Sequence, residues 1–269
     1  MHLIKAHRII TFVSLQRMKK RYFIELAFNG TAYHGWQKQP NALTVQDEVD
    51  RALSVVLKES VITVGAGRTD AGVHARFFTA HFDSDAFDPA VRVRFLYSLN
   101  SILPADITIQ DIYPVTEKAH ARFSALSRIY EYHVSKVKDP FLTAYAWHYP
   151  RPLDIQAMNK AADLLLKTQD FKSFSKHHTQ VKTSICKVFN ACWNDRDDRI
   201  VFTIEADRFL RNMVRAIVGT LIEVGSGKIS TDDFRQVILA GNRRAAAASA
   251  PAKALFLTKI TYPEGLKLL

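Results

Sequence analysis

Cysteine is nearly absent: the 269 residues hold two, Cys186 and Cys192. No C-x-x-C and no H-x-E occurs, which argues against a zinc centre and against a zinc deaminase. The two thiols lie six apart on an expected strand, which would put both on one face as buried, reduced groups. Long apolar runs are also missing. None approaches the ~18 residues that read as a membrane helix, so the fold is expected to hold itself together in water. The glycines match neither G-x-G-x-x-G nor the phosphate-binding P-loop, which disfavours a nucleotide cradle. At the start acids are absent before Glu25, while Lys5, Arg8, Arg17, Lys19, Lys20 and Arg21 accumulate. Ile9 to Val13 is too short and interrupted for a signal peptide. Residues 1–20 read as an N-terminal extension, with 1–17 a mis-called start and Met18 the expected first residue.

What is present fits a globular protein. Hydrophobic residues make up 48% and charged residues 23%, an ordinary balance for a folded domain. A chain this long can bury roughly three quarters of the surface it would expose when open. Lys and Arg number 37 against 26 Asp and Glu, a net charge of +11. Such an excess concentrates polyanions at the surface, so nucleic acid leads the expected partners.

Alternation over residues 22–28 predicts a strand, closed by the turn signal Asn29-Gly30. Residues 31–43 read as loop. Thr44 and Asp47 form a capping box for a helix with Val45, Val49, Ala52, Leu53, Val56 and Leu57 on one face. The segment from Gly65 to Gly72 suits no regular element and leads into a strand at 75–83. Leu99 to Pro104 reads as a short connection, and 107–112 and 129–134 as strands. A helix capped by Asp154 follows, then strands at 185–193 and 200–206 joined by a polar hairpin loop. Leu210 to Val224 reads as a long amphipathic helix stopped by Gly225-Ser226-Gly227. Ser230 and Asp233 cap one more helix, and 255–262 closes as a strand. His177-His178 reads as surface loop. Both halves run strand, helix, strands with no low-complexity linker, which predicts an α+β protein of two related halves sharing a sheet or cleft.

Chemistry concentrates at Gly67-Arg68-Thr69-Asp70-Ala71-Gly72-Val73-His74, where glycines bracket an acid, a cation and a hydroxyl. Glycines permit close backbone approach, so such a loop can present Asp70 to a ligand. On spacing alone, a plain turn capped by Asp70 is the favoured reading. Arg211 and Arg215 are one turn apart on the expected long helix, where an arginine can stay solvated or meet a carboxylate across a cleft. Tyr130 shares a strand face with Tyr132. Aromatic and basic residues interleave around Trp36 and again from Arg122 to His133, a pattern able to stack bases and contact phosphates.

Together these segments resemble the tRNA pseudouridine synthase A family from about Arg21 to Pro263. Five stretches carry the likeness: Phe28 to Gln39, Gly67 to Ala75, His120 to Tyr132, Phe209 to Gly219 and Ala250 to Leu257. Asn29 stands where the family usually has aspartate, and Ala254 where it has glycine. The resemblance implies the pseudouridine synthase fold, in which two related α/β halves build a mixed, largely antiparallel central sheet with flanking helices and a basic cleft. It implies residues 21–121 as the half carrying the aspartate loop, 122–264 as the half carrying Tyr130 and Arg215, and 265–269 as a tail.

The implied activity is isomerisation of uridine to pseudouridine at nucleotides 38 to 40 of the tRNA anticodon stem-loop, by a cytoplasmic homodimer with tRNA lying across both subunits. Asp70 is then the nucleophile and Arg215 its ion-pair partner, keeping the carboxylate charged. Arg68 holds the target base out of the stem, and Tyr130 packs against the uracil and is a candidate acceptor of its C5 proton. His74, Arg122, Arg211 and Trp36 are the remaining expected RNA contacts. Nothing is oxidised and no group leaves the system, so no cofactor, metal or nucleotide is expected. The carboxylate can attack C1′ or remove the C2′ proton, and the sequence does not choose. Competing expectations are a pseudouridine synthase with another RNA target and a tRNA-binding folding factor. A metal hydrolase or deaminase is disfavoured by the missing ligand motifs.

Overall fold

The computed structural model of the chain describes residues 19–176 and 183–268. The expectations for Met18 and for His177-His178 lie outside these residues. The elements in order are β1 (Lys20–Phe28), α1 (Val45–Leu57), β2 (Val64–Gly65), β3 (His74–Ser84), α2 (Arg92–Ile102), β4 (Ile107–Pro114), β5 (Ser127–Ser135) and β6 (Trp147–His148). They continue with α3 (Ile155–Leu166), β7 (Val188–Asp195), β8 (Arg199–Ala206), α4 (Met213–Gly225), α5 (Thr231–Leu239) and β9 (Leu255–Thr261).

One sheet runs through the molecule in the order β4-β1-β3-β9-β5-β8-β7, with β2 added to β3 and β6 to β5. Pairing is antiparallel except at β3–β9 and β5–β6. The mixed, largely antiparallel sheet with flanking helices is thus observed. Its midline is the short parallel pairing of His74 with Phe256 and Ala75 with Leu257. Since His74 opens β3, the segment just before it sits at the seam of the sheet.

Two apolar cores lie on either side of that seam. Tyr22, Ile24 and Leu26 of β1 and Phe78 and Phe82 of β3 pack with Val45, Val49 and Leu53 of α1 and Phe95 and Leu99 of α2. Tyr132 and Val134 of β5 and Phe202 and Ile204 of β8 pack with Met158 and Leu165 of α3, Ile217 and Leu221 of α4 and Phe234 of α5. Tyr130 touches both cores. The caps read from sequence are present: Thr44 and Asp47 exchange side-chain and backbone hydrogen bonds, as do Ser230 and Asp233. Asp154 Oδ1 accepts the Ala157 N–H at 2.9 Å. Each satisfies an amide that the first helical turn leaves free.

Three expectations need correction. Leu99 to Pro104 is no simple connection, because α2 runs through Leu99 to Ile102. Its stripe is blurred in sequence, since Val93 and Tyr97 are apolar yet more than three-quarters exposed. The cysteines do not share a face. Cys186 precedes β7 and lies in the core, whereas Cys192 is half-buried between the buried Ala191 and Trp193. The register shift between Val188 and Asn190 breaks the simple alternation that would have aligned them. Arg211 is not on α4, because Asn212 takes a left-handed conformation (φ 66°) and the helix begins after it.

His81 on β3 is buried and its Nδ1 accepts the Ala121 N–H at 3.1 Å. Burial, reinforced by the charges of Arg21 and His120 and opposed by Asp83, lowers its pKa from 6.5 to about 4. Between those values the folded chain binds fewer protons than the unfolded one. The stability contributed by neutral His81 is therefore complete above pH 6.5 and is lost as pH falls to about 4. Over that window the wild-type melting temperature should fall more steeply than that of His81→Gln, whose amide does not titrate. Parallel slopes in calorimetry would remove His81 from the acid response.

Candidate active site

The aspartate loop is held by the opening motif. Gly72 (φ +78°) turns the chain after Asp70, and the Val73 N–H donates to the Asp70 carbonyl at 3.1 Å. From the other side, the Gly72 N–H donates to Tyr33 O at 3.2 Å and the Trp36 N–H to Thr69 Oγ1 at 2.9 Å. Gly35 (φ +87°) has room for no side chain, since a Cβ would overlap the Thr69 carbonyl oxygen. The hydroxyl of Thr69 and the absence of a side chain at Gly35 together fix the residue preceding Asp70.

Across the seam, Arg215 projects from the first turn of α4. Its Nη1 lies 3.0 Å from Asp70 Oδ2 and its Nε donates to Ala250 O at 2.8 Å. The two side chains are 21% and 23% exposed, buried enough to be ordered and open enough to meet a ligand. The closing segment keeps the arginine in place. The Ala250 N–H donates to Arg215 O at 3.0 Å, Asn212 Nδ2 to Ser249 Oγ at 2.6 Å, and Arg243 to the carbonyls of Ala246 and Ala247. Gly219 admits this segment, because a Cβ there would overlap Ala248 O.

Tyr130 lies between the halves with its ring edge-on to Phe209 at 5.1 Å. Burial pushes its hydroxyl up to about 12, with Arg128 opposing and the Asp70 charge adding to the shift. The phenol is therefore neutral at physiological pH. The structure thus brings Asp70, Arg215 and Tyr130 together around the seam.

The other expected site residues divide. Arg68 is exposed at the loop rim and donates to Gln37 Oε1. Arg122 is exposed beside Phe123, and Arg211 is exposed in the turn before α4. Trp36 and His74 are corrected from RNA contacts to internal supports. Trp36 is 2% exposed, 4.4 Å from the Phe78 ring, and closes over Gly65. His74 is buried against Phe256 at 4.7 Å. Its Nδ1 accepts the Gly30 N–H at 3.1 Å, so Nε2 carries the proton donated to Lys253 O at 2.9 Å. Burial lowers its pKa, consistent with this neutral form. An aromatic flanked by basic residues looks alike whether it faces solvent or a core, and only packing separates the two. Among the described residues, no group of three or more His, Cys, Asp or Glu side chains is placed to hold a metal ion.

A family model described as tRNA pseudouridine synthase matches residues 161–263. The chain is 51% identical over 246 residues to tRNA pseudouridine synthase A of Bacteroides fragilis, covering 91% of this chain and 97% of that protein. Its identity to the enzyme of the same name from Parabacteroides distasonis is 52% over 248 residues, covering 92% and 98%. A more distant relative of that name from Bacillus licheniformis is 40% identical over 241 residues, covering 88% and 97%.

Gly35→Ala should destabilise the chain by roughly 2–4 kcal/mol, since it meets both a positive φ and a backbone oxygen. Gly67→Ala, with no atom within 4 Å of the added carbon, should change stability by under about 1 kcal/mol. Urea unfolding of both variants checks this; equal costs would show that the opening motif does not brace the loop.

Proposed function

The chain belongs to the tRNA pseudouridine synthase A family, isomerases that convert uridine to pseudouridine in tRNA, and we propose that it acts at nucleotides 38 to 40 of the anticodon stem-loop with Asp70 as nucleophile. The observation that supports this most directly is the Asp70–Arg215 pair, half-buried at the seam beside Tyr130. In this reading residues 21–121 form the half carrying Asp70, and 122–264 the half carrying Tyr130 and Arg215.

Substrate and product are isomers. The C1′–N1 bond breaks, the base turns, C5 bonds to C1′, and the C5 proton is finally exchanged for one on N1. Asp70 can attack C1′ or take the C2′ proton, and either role needs a free, ionised oxygen. Arg215 engages Oδ2 alone, through one guanidinium nitrogen, which leaves Oδ1 for the sugar. With Nε tied to Ala250 O, the guanidinium cannot swing away when the sugar arrives.

The target base has to leave the stem, at a cost of a few kcal/mol of stacking. Arg68, exposed two residues before Asp70, is assigned to hold the flipped base out of the stem. Tyr130 offers its ring to the uracil. Its phenol, held neutral by burial, would have to give up its own proton before its oxygen could accept the one from C5. The net charge of +11 supplies attraction to the stem phosphates, and Arg122 and Arg211 are the exposed cations assigned to that contact. A homodimer in the cytoplasm completes the reading.

Incubation with unmodified tRNA followed by site mapping tests the proposal. Wild type should form pseudouridine at nucleotides 38 to 40, while Asp70→Ala should bind tRNA nearly normally and form none. Modification at other positions would reject the assigned target, and turnover by Asp70→Ala would reject the nucleophile. Arg215→Ala should lose activity roughly 100-fold or more, and a wild-type rate there would dissociate the ion pair from the chemistry.

A further inference from the structure

Arg128 lies two residues before Tyr130 on β5, and side chains two apart on a strand project from one face. Its guanidinium donates to four backbone carbonyls. Nη1 reaches Asp207 O at 2.6 Å and Ala125 O at 3.3 Å; Nη2 reaches Arg122 O at 2.6 Å and Ala66 O at 3.2 Å. The carbonyls belong to three separate stretches of chain. Ala66 begins the approach to Asp70, Arg122 and Ala125 lie in the loop before β5, and Asp207 follows β8 on the way to Phe209 and α4.

No carboxylate within ion-pair distance of Arg128 occurs among the described residues. The Asp207 carboxylate accepts the Lys187 N–H at 2.8 Å instead. Burial lowers the Arg128 pKa, with Tyr262, Tyr130 and Asp207 opposing the shift and Arg122 adding to it. A desolvated cation is costly unless its N–H groups find acceptors, and here four carbonyl dipoles provide them. Only arginine spreads five donors over a rigid plane; an ammonium on a flexible stem has three and cannot span the same set.

We propose that Arg128 is a positioning residue for the reaction, a clamp that sets the Asp70 loop, the Arg122–Ala125 loop and the chain leading to α4 at fixed distances from Tyr130. The inference rests on the function proposed above and deepens it. Asp70 and Arg215 come from opposite sides of the seam, so their 3.0 Å separation depends on how the flanking loops are tied. The clamp also joins the loop bearing the exposed Arg122 and Phe123 to the nucleophile. A phosphate or base held on that loop then has a set distance from Asp70.

The test compares wild type with Arg128→Lys and Arg128→Ala in turnover on unmodified tRNA, and in amide hydrogen exchange across residues 66–72 and 122–126. Arg128→Lys should fold, lose about 100-fold in kcat, leave KM for tRNA within about threefold, and exchange faster in both segments. Methylguanidinium added to Arg128→Ala should restore part of kcat, and should do nothing for Asp70→Ala. The proposal is overturned by a wild-type kcat in Arg128→Lys, by a defect confined to KM, by unchanged exchange, or by a variant that cannot fold, which would make Arg128 a stability residue alone. Faster exchange in Arg128→Lys together with an inactive wild type would instead overturn the assigned function and leave the clamp standing.

Discussion

A carboxylate and a guanidinium separated by 145 positions in the chain meet at 3.0 Å between the two halves of the sheet, and most of the surrounding architecture serves that meeting. Neither side chain could hold the position alone. Asp70 sits on a loop with no helical or sheet hydrogen bonds of its own, so its backbone is fixed by Thr69, Gly72 and the glycines of the opening motif. Arg215 sits on a helix, but a long side chain on a helix has many rotamers, and the bond from Nε to Ala250 O removes most of them. The pair is strong as a positioning device because each partner is anchored a second time.

That arrangement explains the work done by residues with no chemistry of their own. Gly35 and Gly219 allow backbone to approach backbone on the two sides of the site. His74, in a single tautomer, links Gly30 to Lys253 and so fastens the start of β3 to the closing segment. The parallel pairing of His74 with Phe256 then carries the same tie into the sheet. Arg128 ties the Asp70 loop to two further stretches of chain, using a charge without a carboxylate partner among the described residues as a multi-pronged donor. The halves are packed as two cores, and Tyr130 is in contact with both.

Much of the fold was legible in the sequence where the signal is local. The capping boxes at Thr44 and Ser230 mark helix starts because a short polar side chain satisfies a nearby amide. Strands β1, β4, β5, β8 and β9 were legible to within two residues at their ends. Helix α2 escaped because exposed Val93 and Tyr97 fill the positions where polar residues would have outlined its stripe. Asn212 escaped because a single left-handed residue leaves no mark on periodicity, yet it detaches Arg211 from α4. One irregular register in β7 was enough to turn Cys192 away from Cys186.

The sequence by itself determined the family, the helix caps, the net charge and the identity of the residues able to do chemistry, since these depend on residue type and short-range order. Which of them converge was decided by tertiary structure. Trp36 and His74 carry the same groups whether buried or exposed, and packing made them supports. Arg128 became a clamp only because three loops brought their carbonyls within reach of one guanidinium. Distances between remote side chains depend on the sheet register and on the few contacts that cross its midline, and no local pattern in the chain encodes those.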